Sequence, residues 1–377
     1  MSELVARLAP GVSSFAAAEW DVCAGAANPF LSHAFLSALE ESGSATNRTG
    51  WQPVPLAIDG PDGRPAAVMP AYVKSHSQGE YVFDHAWAAA WERAGGDYYP
   101  KLQIAVPFTP VPGRRLLTTR DDHAFGLIAA AQAVVDQNGF SSAHATFIAE
   151  EEVPLFERAG WVIRTDSQFH WHNDGYRSFD DFLAALSSRK RKTIRKEREA
   201  ALAGGITVEH VTGAAITEAH WDAFWAFYQD TGSRKWGRPY LTRRFFSLLG
   251  ERMADKVLLI FALHDGEPIA GALNLIGEDT LYGRYWGTVA EVPHLHFEIC
   301  YYQAIDAAIA RGLSRVEAGA QGSHKIARGY RPVPTYSAHY IADVNFRRAV
   351  EDFLHAEREA VEQEIGALDE MTPFRKG

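Results

Sequence analysis

Five side chains suited to acid–base work or anion binding lie close together late in the sequence: Glu298, Glu317, His324, Lys325 and Arg328. A carboxylate can bind an amine or take its proton, and an unperturbed histidine titrates near working pH. Lysine and arginine can hold a phosphate or a carboxylate. The alternatives are ordinary ones: a helix cap or an ion pair for the glutamates, a structural loop histidine, and solvated helix charges.

The segment Gly319–Arg328 is bordered by glycines. Glycine lets a backbone approach a ligand closely, and the start of a helix offers free N–H groups to an anion. We therefore expect the amide of Gln321 and the backbone of Gly319–Ser323 to supply donors to a developing oxyanion.

A metal site is not expected. His294, His296 and Glu298 do not have His-Glu-x-x-His spacing, and on a helix His296 faces away from the other two. His170 and His172 alternate along a predicted strand and are read in the same way. The sequence contains no G-x-S-x-G, Walker or G-x-G-x-x-G motif, so serine hydrolase, P-loop and Rossmann interpretations have no support.

The elements around these residues can be predicted from their spacing. Apolar residues recur with helical periodicity from about Phe297 to Arg311, and Gly312 ends that helix. A buried strand, Arg315–Ala318, follows it. The aromatic strand before the helix brings three further candidates, which either line a substrate site or belong to the core: Arg284, Tyr285 and Trp286.

The stretch Ser187–Gly205 is a predicted helix with an unusual charge pattern. Seven of the ten residues from Arg189 to Arg198 are basic. Positive charge at a helix N-terminus opposes the macrodipole, and like charges four apart repel, so a bound anion would offset both costs. A solvated basic face is the alternative to a phosphate or nucleic-acid contact. The residues assigned to that contact are Arg189, Lys190, Arg191, Lys192, Arg195 and Lys196.

A further binding candidate is the segment Arg234–Tyr240, predicted as an exposed loop. Trp236 and Tyr240 could stack on a base or sugar ring while the neighbouring cations bind phosphate. A plain packing loop is the alternative.

Composition limits the class of protein. The 377 residues are 47% hydrophobic and 22% charged, with a net charge of −10, which argues against coating of nucleic acid by the whole surface. No apolar run approaches the roughly 18 residues of a membrane span, and no signal-peptide core is visible. Two cysteines, Cys23 and Cys300, favour a reducing cytoplasm over a disulfide framework. The oligomeric state is left open.

The order of elements repeats, which predicts two α/β domains at residues 1–172 and 173–377. Helix, Gly139-Phe140-Ser141 and strand parallel helix, Gly312-Leu313-Ser314 and strand. Gly79–Trp87 is predicted as an aromatic strand, and its part Tyr81–Trp87 parallels Tyr282–Trp286. In this alignment His144 occupies the position of Glu317. We therefore expect the first domain to serve as a wall that partners the cleft of the second domain.

These pieces resemble a known family. Glu157-Arg158-Ala159-Gly160-Trp161 looks like the helix end of the GNAT N-acetyltransferase fold, and Arg189–Val208 looks like the opening of the second domain of Fem-type transferases. The whole chain is similar to the FemAB-like predicted N-acyltransferases of bacteria. Further segments carrying that match are Asn28–Ser32, Tyr99–Leu102, Arg234–Gly237 and Glu317–Gly329. The resemblance implies an α/β (α+β) protein of two tandem GNAT-like domains, each a mixed twisted sheet flanked by helices.

The same resemblance implies an enzyme. Fem-type enzymes move amino acids from aminoacyl-tRNA onto peptidoglycan precursors, and in this fold Glu298 and Glu317 would border the catalytic cleft. Acetyl-CoA enzymes carry a Q/R-x-x-G-x-G/A loop before the central helix, whereas here Glu291–Phe297 has no glycine and Pro293 removes a donor. This favours aminoacyl-tRNA over an acyl-CoA as donor to an amine acceptor, with no tightly bound cofactor. An acyl-CoA enzyme and a non-catalytic module that binds a cell-wall precursor or RNA stay open.

Overall fold

The computed structural model describes residues 5–236, 239–319 and 322–375. The chain forms two compact units, unit 1 (Met1–Asp166 and Pro334–Gln363) and unit 2 (Ser167–Val333 and Glu364–Gly377). The boundary between the units, Asp166–Ser167, lies within the strand Val162–His172, and the predicted division after residue 172 falls at the end of that strand. It differs from the structure in the C-terminal segment, because Pro334–Gln363 belongs to unit 1.

Unit 1 contains a three-stranded sheet in the order β1-β3-β4. It also contains strands of a larger sheet in the order β2-β5-β6-β7-β14, where β14 is Arg331–Ile341. None of the described helices of either unit is both long and apolar enough to cross a membrane. The elements of the first part of the chain are β1 (Ala6–Leu8), α1 (Ala17–Ala24), α2 (His33–Glu41), β2 (Trp51–Pro53), β3 (Leu56–Asp59), β4 (Pro65–Met69), β5 (Ala71–Lys74), α3 (His85–Arg93), β6 (Lys101–Ile104), α4 (Asp121–Asn138), β7 (Ser142–Ile148), α5 (Val153–Arg158) and β8 (Val162–His172).

One face of the unit 1 strands is apolar and packs on α4. Leu102 and Ala143 of the sheet and Leu127 and Ile128 of α4 are buried together. Gly139, with φ of 65°, ends α4 in the left-handed conformation that glycine adopts readily, as the sequence predicts. The opposite face carries buried polar side chains, described below.

The predicted strand Gly79–Trp87 is wrong. The carboxylates of Glu80 and Asp84 instead reach the ammonium group of Lys101, and α3 begins at His85. Two ion pairs on one lysine bend the segment away from an extended path. Trp87 and Ala88 are the buried residues of α3, so their spacing belongs to a helix.

Unit 2 continues the chain with strands in the order β8-β13-β12-β11-β10-β9. A π-helical turn (Glu298–Tyr302) joins α10 to α11, and a 3₁₀ helix (Ser323–Arg328) follows β13. The remaining elements are α6 (Phe179–Ala185), α7 (Ser188–Ala201), β9 (Ile206–Thr212), α8 (Glu218–Trp236), α9 (Arg243–Met253), β10 (Val257–His264), β11 (Glu267–Ile276), β12 (Thr280–Thr288), α10 (Leu295–Phe297), α11 (Gln303–Ala310), β13 (Arg315–Glu317), β14 (Arg331–Ile341) and α12 (Val344–Glu370).

The core of unit 2 lies between its strands and the central helix formed by α10, the π turn and α11. Leu281, Val316, Ile299 and Ile305 are buried in it. On β12, Gly287 permits a close approach of α8, because a Cβ there would lie 2.1 Å from the carbonyl oxygen of Phe227. The predicted central helix and basic helix are both confirmed in position.

The C-terminal segment joins unit 1 through backbone pairing and burial. β14 runs antiparallel to β7, with His339 opposite His144. On α12, Val350 and Leu354 are buried against Trp87 and Tyr98. The residues that this strand and helix contact lie roughly 200 to 260 residues earlier and leave no mark in the local sequence.

Candidate active site

In unit 2 a gap opens where two parallel strands part. β12 and β13 are paired only from Thr280–Arg315 to Tyr282–Glu317, while β12 continues to Thr288. A cavity of about 120 Å³ lies at this gap. Its walls come from β11, β12, the central helix and the residue after β13: Ala272, Asn274, Gly283, Arg284, Tyr285, Trp286, His296, Cys300, Tyr301 and Ala318.

Aromatic rings form the helical side of the site. The rings of Trp286 and His296 lie 5.3 Å apart, and the Tyr301 hydroxyl is 2.9 Å from Nε2 of His324. The π turn carries Cys300 and Tyr301, both of which line the cavity. Such one-turn irregularities occur frequently at functional sites.

Glu317 ends β13 at the point where the gap opens. Its side chain is buried, with Oε1 3.4 Å from Nε of Arg315 and Oε2 4.0 Å from Nε2 of His170. Burial raises the pKa of Glu317 to about 7, against the opposing charges of Arg315 and Arg284. Burial also holds the pKa of His170 well below its usual range, so that imidazole is neutral. A carboxylate that titrates near pH 7 is suited to general base catalysis.

Lys325 lies on the 3₁₀ helix, between Gly322 and Gly329, which take φ of 116° and 89°. Its side chain is 1% exposed, and its ammonium nitrogen donates to the carbonyl oxygen of Gly319 at 2.8 Å. Burial lowers the pKa of Lys325 to about 7. This group can therefore give or take a proton near neutral pH.

Glu298 has a different position from the other predicted catalytic residues. It is fully buried, and both carboxylate oxygens accept hydrogen bonds from Arg198 at 2.9 to 3.2 Å. Gln303 donates to Oε1 at 2.7 Å, and Arg198 also binds Asp306. The geometry is that of an ion pair holding α7 to the central helix, the alternative that the sequence left open.

The other predicted binding residues lie in different environments. Arg284, Tyr285 and Trp286 line the cavity. Arg328 is buried in an ion pair with Glu197, and Tyr240 is half-buried.

Two of the predicted binding sites lie partly or wholly outside the residues that the structure describes. The segment 234–236, predicted as a loop, is the end of helix α8. The side chain of Trp236 lies outside the described residues, as do residues 237–238 and Gln321. The predicted roles of these residues stay predictions.

The basic residues of α7 are divided between two environments. Arg189, Lys192, Arg195 and Lys196 are exposed, whereas Lys190 and Arg191 are half-buried. Arg195 forms a surface ion pair with Asp180 at 3.1 Å. At 1.5 Å per residue, Arg189 lies roughly 12 Å along the helix from Glu197, which contacts Arg328. The exposed cations of α7 therefore form a positively charged surface that extends along the helix away from the contact between Glu197 and Arg328.

Sequence reasoning assigned only Arg284, Tyr285 and Trp286 of this cavity wall to the site. Among the wall residues that it missed, those with polar or reactive side chains are Asn274, His296, Cys300 and Tyr301. Helical spacing places His296 and Cys300 on one face, a signal that was present but pointed equally to core packing. In the part of the chain that the structure describes, no group of three or more histidine, cysteine or acidic side chains could hold a metal.

The equivalent position of unit 1 is closed. β6 and β7 are parallel like β12 and β13, and His144 of β7 takes the place of Glu317, as predicted, with His339 at 2.7 Å in the place of His170. Beyond the end of β6, Gly113 N donates to the carbonyl oxygen of Phe147 at 3.0 Å. The chain itself thus fills the space beside β7.

A network of buried charges stands on the same face of unit 1. Lys101, fully buried, lies 2.8 Å from Glu80 Oε2 and 2.5 Å from Asp84 Oδ2, and Glu80 is also 3.8 Å from Lys74. Burial lowers the pKa of His144 to about 3, which leaves that imidazole neutral. The described interactions of this face are those of a closed interior.

Comparison with known proteins identifies the family. A model of the FemAB-like family, described as peptidoglycan biosynthesis/recognition, matches residues 11–376. The chain belongs to the FemAB-like family. This confirms the resemblance seen in the sequence. No curated protein sequence matches the chain.

Solved structures with the FemAB-like fold extend the comparison. FemX is 12% identical, with a TM-score of 0.56 over 89% of this chain and 98% of that one. L-PGS from Bacillus licheniformis is 12% identical, with a TM-score of 0.52 over 84% and 95%. A conserved protein of unknown function from Bacteroides thetaiotaomicron is 12% identical, with a TM-score of 0.53 over 89% and 99%. At this identity the likeness shows the fold alone, and the predicted mixed α/β class is confirmed.

Proposed function

We propose that this FemAB-like protein is an N-acyltransferase that moves an aminoacyl group from aminoacyl-tRNA onto an amine, with unit 2 as its catalytic unit. Family membership and the Fem-type fold support a transferase. The observation that carries the proposal is that two buried groups with a pKa near 7 lie next to the cavity wall at the strand gap. Glu317 directly precedes Ala318 of the wall, and Lys325 interacts electrostatically with Cys300 of the wall.

The chemistry assigns one proton to each group. The acceptor amine attacks the ester carbonyl carbon of the donor, and its proton passes to the Glu317 carboxylate. The bond from that carbon to the ribose oxygen then breaks, and the Lys325 ammonium protonates the leaving oxygen. An amide forms and an ester is cleaved, so atoms and protons balance. Both Glu317 and Lys325 are needed in their charged forms, which predicts a bell-shaped pH–rate profile centred near pH 7.

The donor is assigned to tRNA by two features. The exposed cations of α7 suit the phosphodiester backbone of a nucleic acid, and the segment Glu291–Phe297 lacks the glycines with which acetyl-CoA enzymes bind pyrophosphate. Such a donor implies a bacterial cytoplasmic enzyme. The description of the family supports a peptidoglycan-precursor-like amine as acceptor, and a small-molecule amine would use the same chemistry.

The test is transfer of label from a pool of aminoacyl-tRNA charged with radioactive amino acids to a uridine-diphosphate muramoyl pentapeptide. A panel of acyl-CoA donors is assayed in parallel. Transfer from tRNA alone supports the proposal, and transfer from CoA alone contradicts the donor. Saturable binding of the acceptor with no transfer from either donor would make the protein a recognition module and overturn the enzymatic proposal.

A further inference from the structure

Glu197 of α7 lies where three elements of unit 2 meet. Its carboxylate oxygens accept hydrogen bonds from Nη2 of Arg328 at 2.9 and 3.0 Å, and the hydroxyl of Tyr302 also donates to it. Tyr302 is the last residue of the π turn, and Arg328 is the last residue of the 3₁₀ helix. One carboxylate therefore joins α7, the π turn and the 3₁₀ helix.

Arg328 connects this carboxylate to the rest of the 3₁₀ helix. Its Nη1 donates to the carbonyl oxygen of His324 at 2.8 Å, and its guanidinium carbon lies 3.4 Å from the ring centroid of Phe297. The Arg328 side chain is 8% exposed and that of Glu197 13%, so water screens this pair little. His324 and Lys325 lie on the same 3₁₀ helix as Arg328. The ion pair between Glu197 and Arg328 therefore restrains the positions of both side chains.

The neighbouring residue anchors the other end of the π turn. Arg198 binds Glu298, the first residue of that turn, at 2.9 Å. Consecutive residues of α7 thus hold the first and last residues of the turn whose middle carries Cys300 and Tyr301. The same helix presents the exposed cations assigned to donor phosphates.

We propose that Glu197 is a positioning residue of the transferase site: through Arg328 it fixes the 3₁₀ helix so that His324 and Lys325 face the reacting groups. This inference rests on the proposed function and deepens it. It also gives α7 two roles. Its exposed cations bind the phosphates of the donor, and its Glu197 holds His324 and Lys325 in position.

The test is the pH dependence of Lys325 carbamylation by cyanate, measured by peptide mass spectrometry without any substrate. Wild-type protein is expected to give a midpoint near pH 7, because burial holds Lys325 there. Glu197→Gln releases Arg328 and the helix, so the midpoint should rise by about one pH unit or more. Glu199→Gln, which changes an exposed carboxylate on the same helix, is the matched control and should leave the midpoint unchanged. Exposed Lys192 provides the internal reference.

A folded Glu197→Gln protein with an unshifted Lys325 midpoint overturns the proposal. Where that variant does not fold, Glu197→Asp keeps the charge but draws the carboxylate back from Arg328 and Tyr302, and it too must raise the midpoint. In the transfer assay, the positioning role predicts a fall in kcat of about tenfold with little change in KM for tRNA. Because carbamylation needs no substrate, its failure refutes the role of Glu197 even if transfer occurs. Absence of transfer by wild-type protein refutes only the proposed function.

Discussion

The two units of this protein share one strand arrangement and use it differently. In each, a parallel strand pair is flanked by an antiparallel strand, and two side chains face each other at the same register position. Unit 2 places Glu317 beside His170, whereas unit 1 places His144 beside His339. The first pair lies where β12 and β13 part, and the second lies among buried ion pairs. Register alone therefore does not make a site.

The two units differ in what occupies the space beside the parallel strand pair, β6 and β7 in unit 1 and β12 and β13 in unit 2. In unit 1, Arg115 is fully buried and donates to the carbonyl oxygen of Thr146 at 3.0 Å, next to Gly113, which lies beside β7. In unit 2 the corresponding space is a cavity lined by Cys300 and Tyr301. One copy of the arrangement has become interior, and the other retains room for a substrate.

The largest effect on stability is expected in the closed unit. Lys101→Met removes the cation shared by the buried Glu80 and Asp84 and leaves only Lys74, 3.8 Å from Glu80, so it should lower the free energy of unfolding by about 3–5 kcal/mol. Turnover per folded molecule should not change. Urea unfolding and the transfer assay measure the two quantities, with Arg48→Met, an exposed cation of the same unit, as a control expected within about 0.5 kcal/mol. A stable Lys101→Met protein without activity would break the division of roles between the units.

The same substitution at Lys325, in unit 2, should raise the free energy of unfolding instead of lowering it. The folded state of Lys325 has a lower pKa than the unfolded state, so burial of its ammonium opposes folding fully below about pH 7. That cost disappears as the pH rises toward 10.5. Lys325→Met should therefore raise the free energy of unfolding at pH 6 by roughly 2 kcal/mol and lower turnover by about a hundredfold or more. Loss of both stability and turnover would show that Lys325 is a structural residue.

The smallest effect on the fold is expected from α7, whose run of cations has no counterpart in the sequence of unit 1. Arg189→Glu, Lys192→Glu and Lys196→Glu change exposed side chains, so each should alter stability by less than about 0.5 kcal/mol. Together they should reduce the salt slope of tRNA binding by about 2–3, since each lost phosphate contact removes roughly 0.7–0.9. Reversal of Arg48, Arg93 and Arg120 in unit 1 is the matched control. Equal losses in both triple variants would show only non-specific attraction.

Part of this molecule could be predicted from sequence because the signals were local. Local patterns identified α7 and the central helix, and Gly139 and Gly312 marked helix ends. The equivalence of His144 and Glu317 followed from the repeated order of elements and agrees with the strand register.

The remainder depends on distant partners. The strand expected at Gly79–Trp87 does not form, because Lys101 draws two carboxylates of that segment to itself. Glu298 is paired by Arg198, 100 residues away, and Glu197 binds Arg328, 131 residues away. Neither pairing has a sequence signature, so a helix-start acid looked equally suited to catalysis and to an ion pair.

The most direct test of the account is the pH–rate profile of transfer by wild-type protein, Glu317→Gln and His144→Gln. Wild-type protein should give a bell centred near pH 7, since Glu317 must lose its proton and Lys325 must keep one. Glu317→Gln should lower the rate by about 10²–10³-fold and remove the acid limb. His144→Gln is the matched change in unit 1. When the rate is expressed per folded molecule, this variant should show the same bell-shaped pH–rate profile as the wild-type protein. An acid limb that persists in Glu317→Gln but vanishes in His144→Gln would place the chemistry in unit 1 and contradict the account.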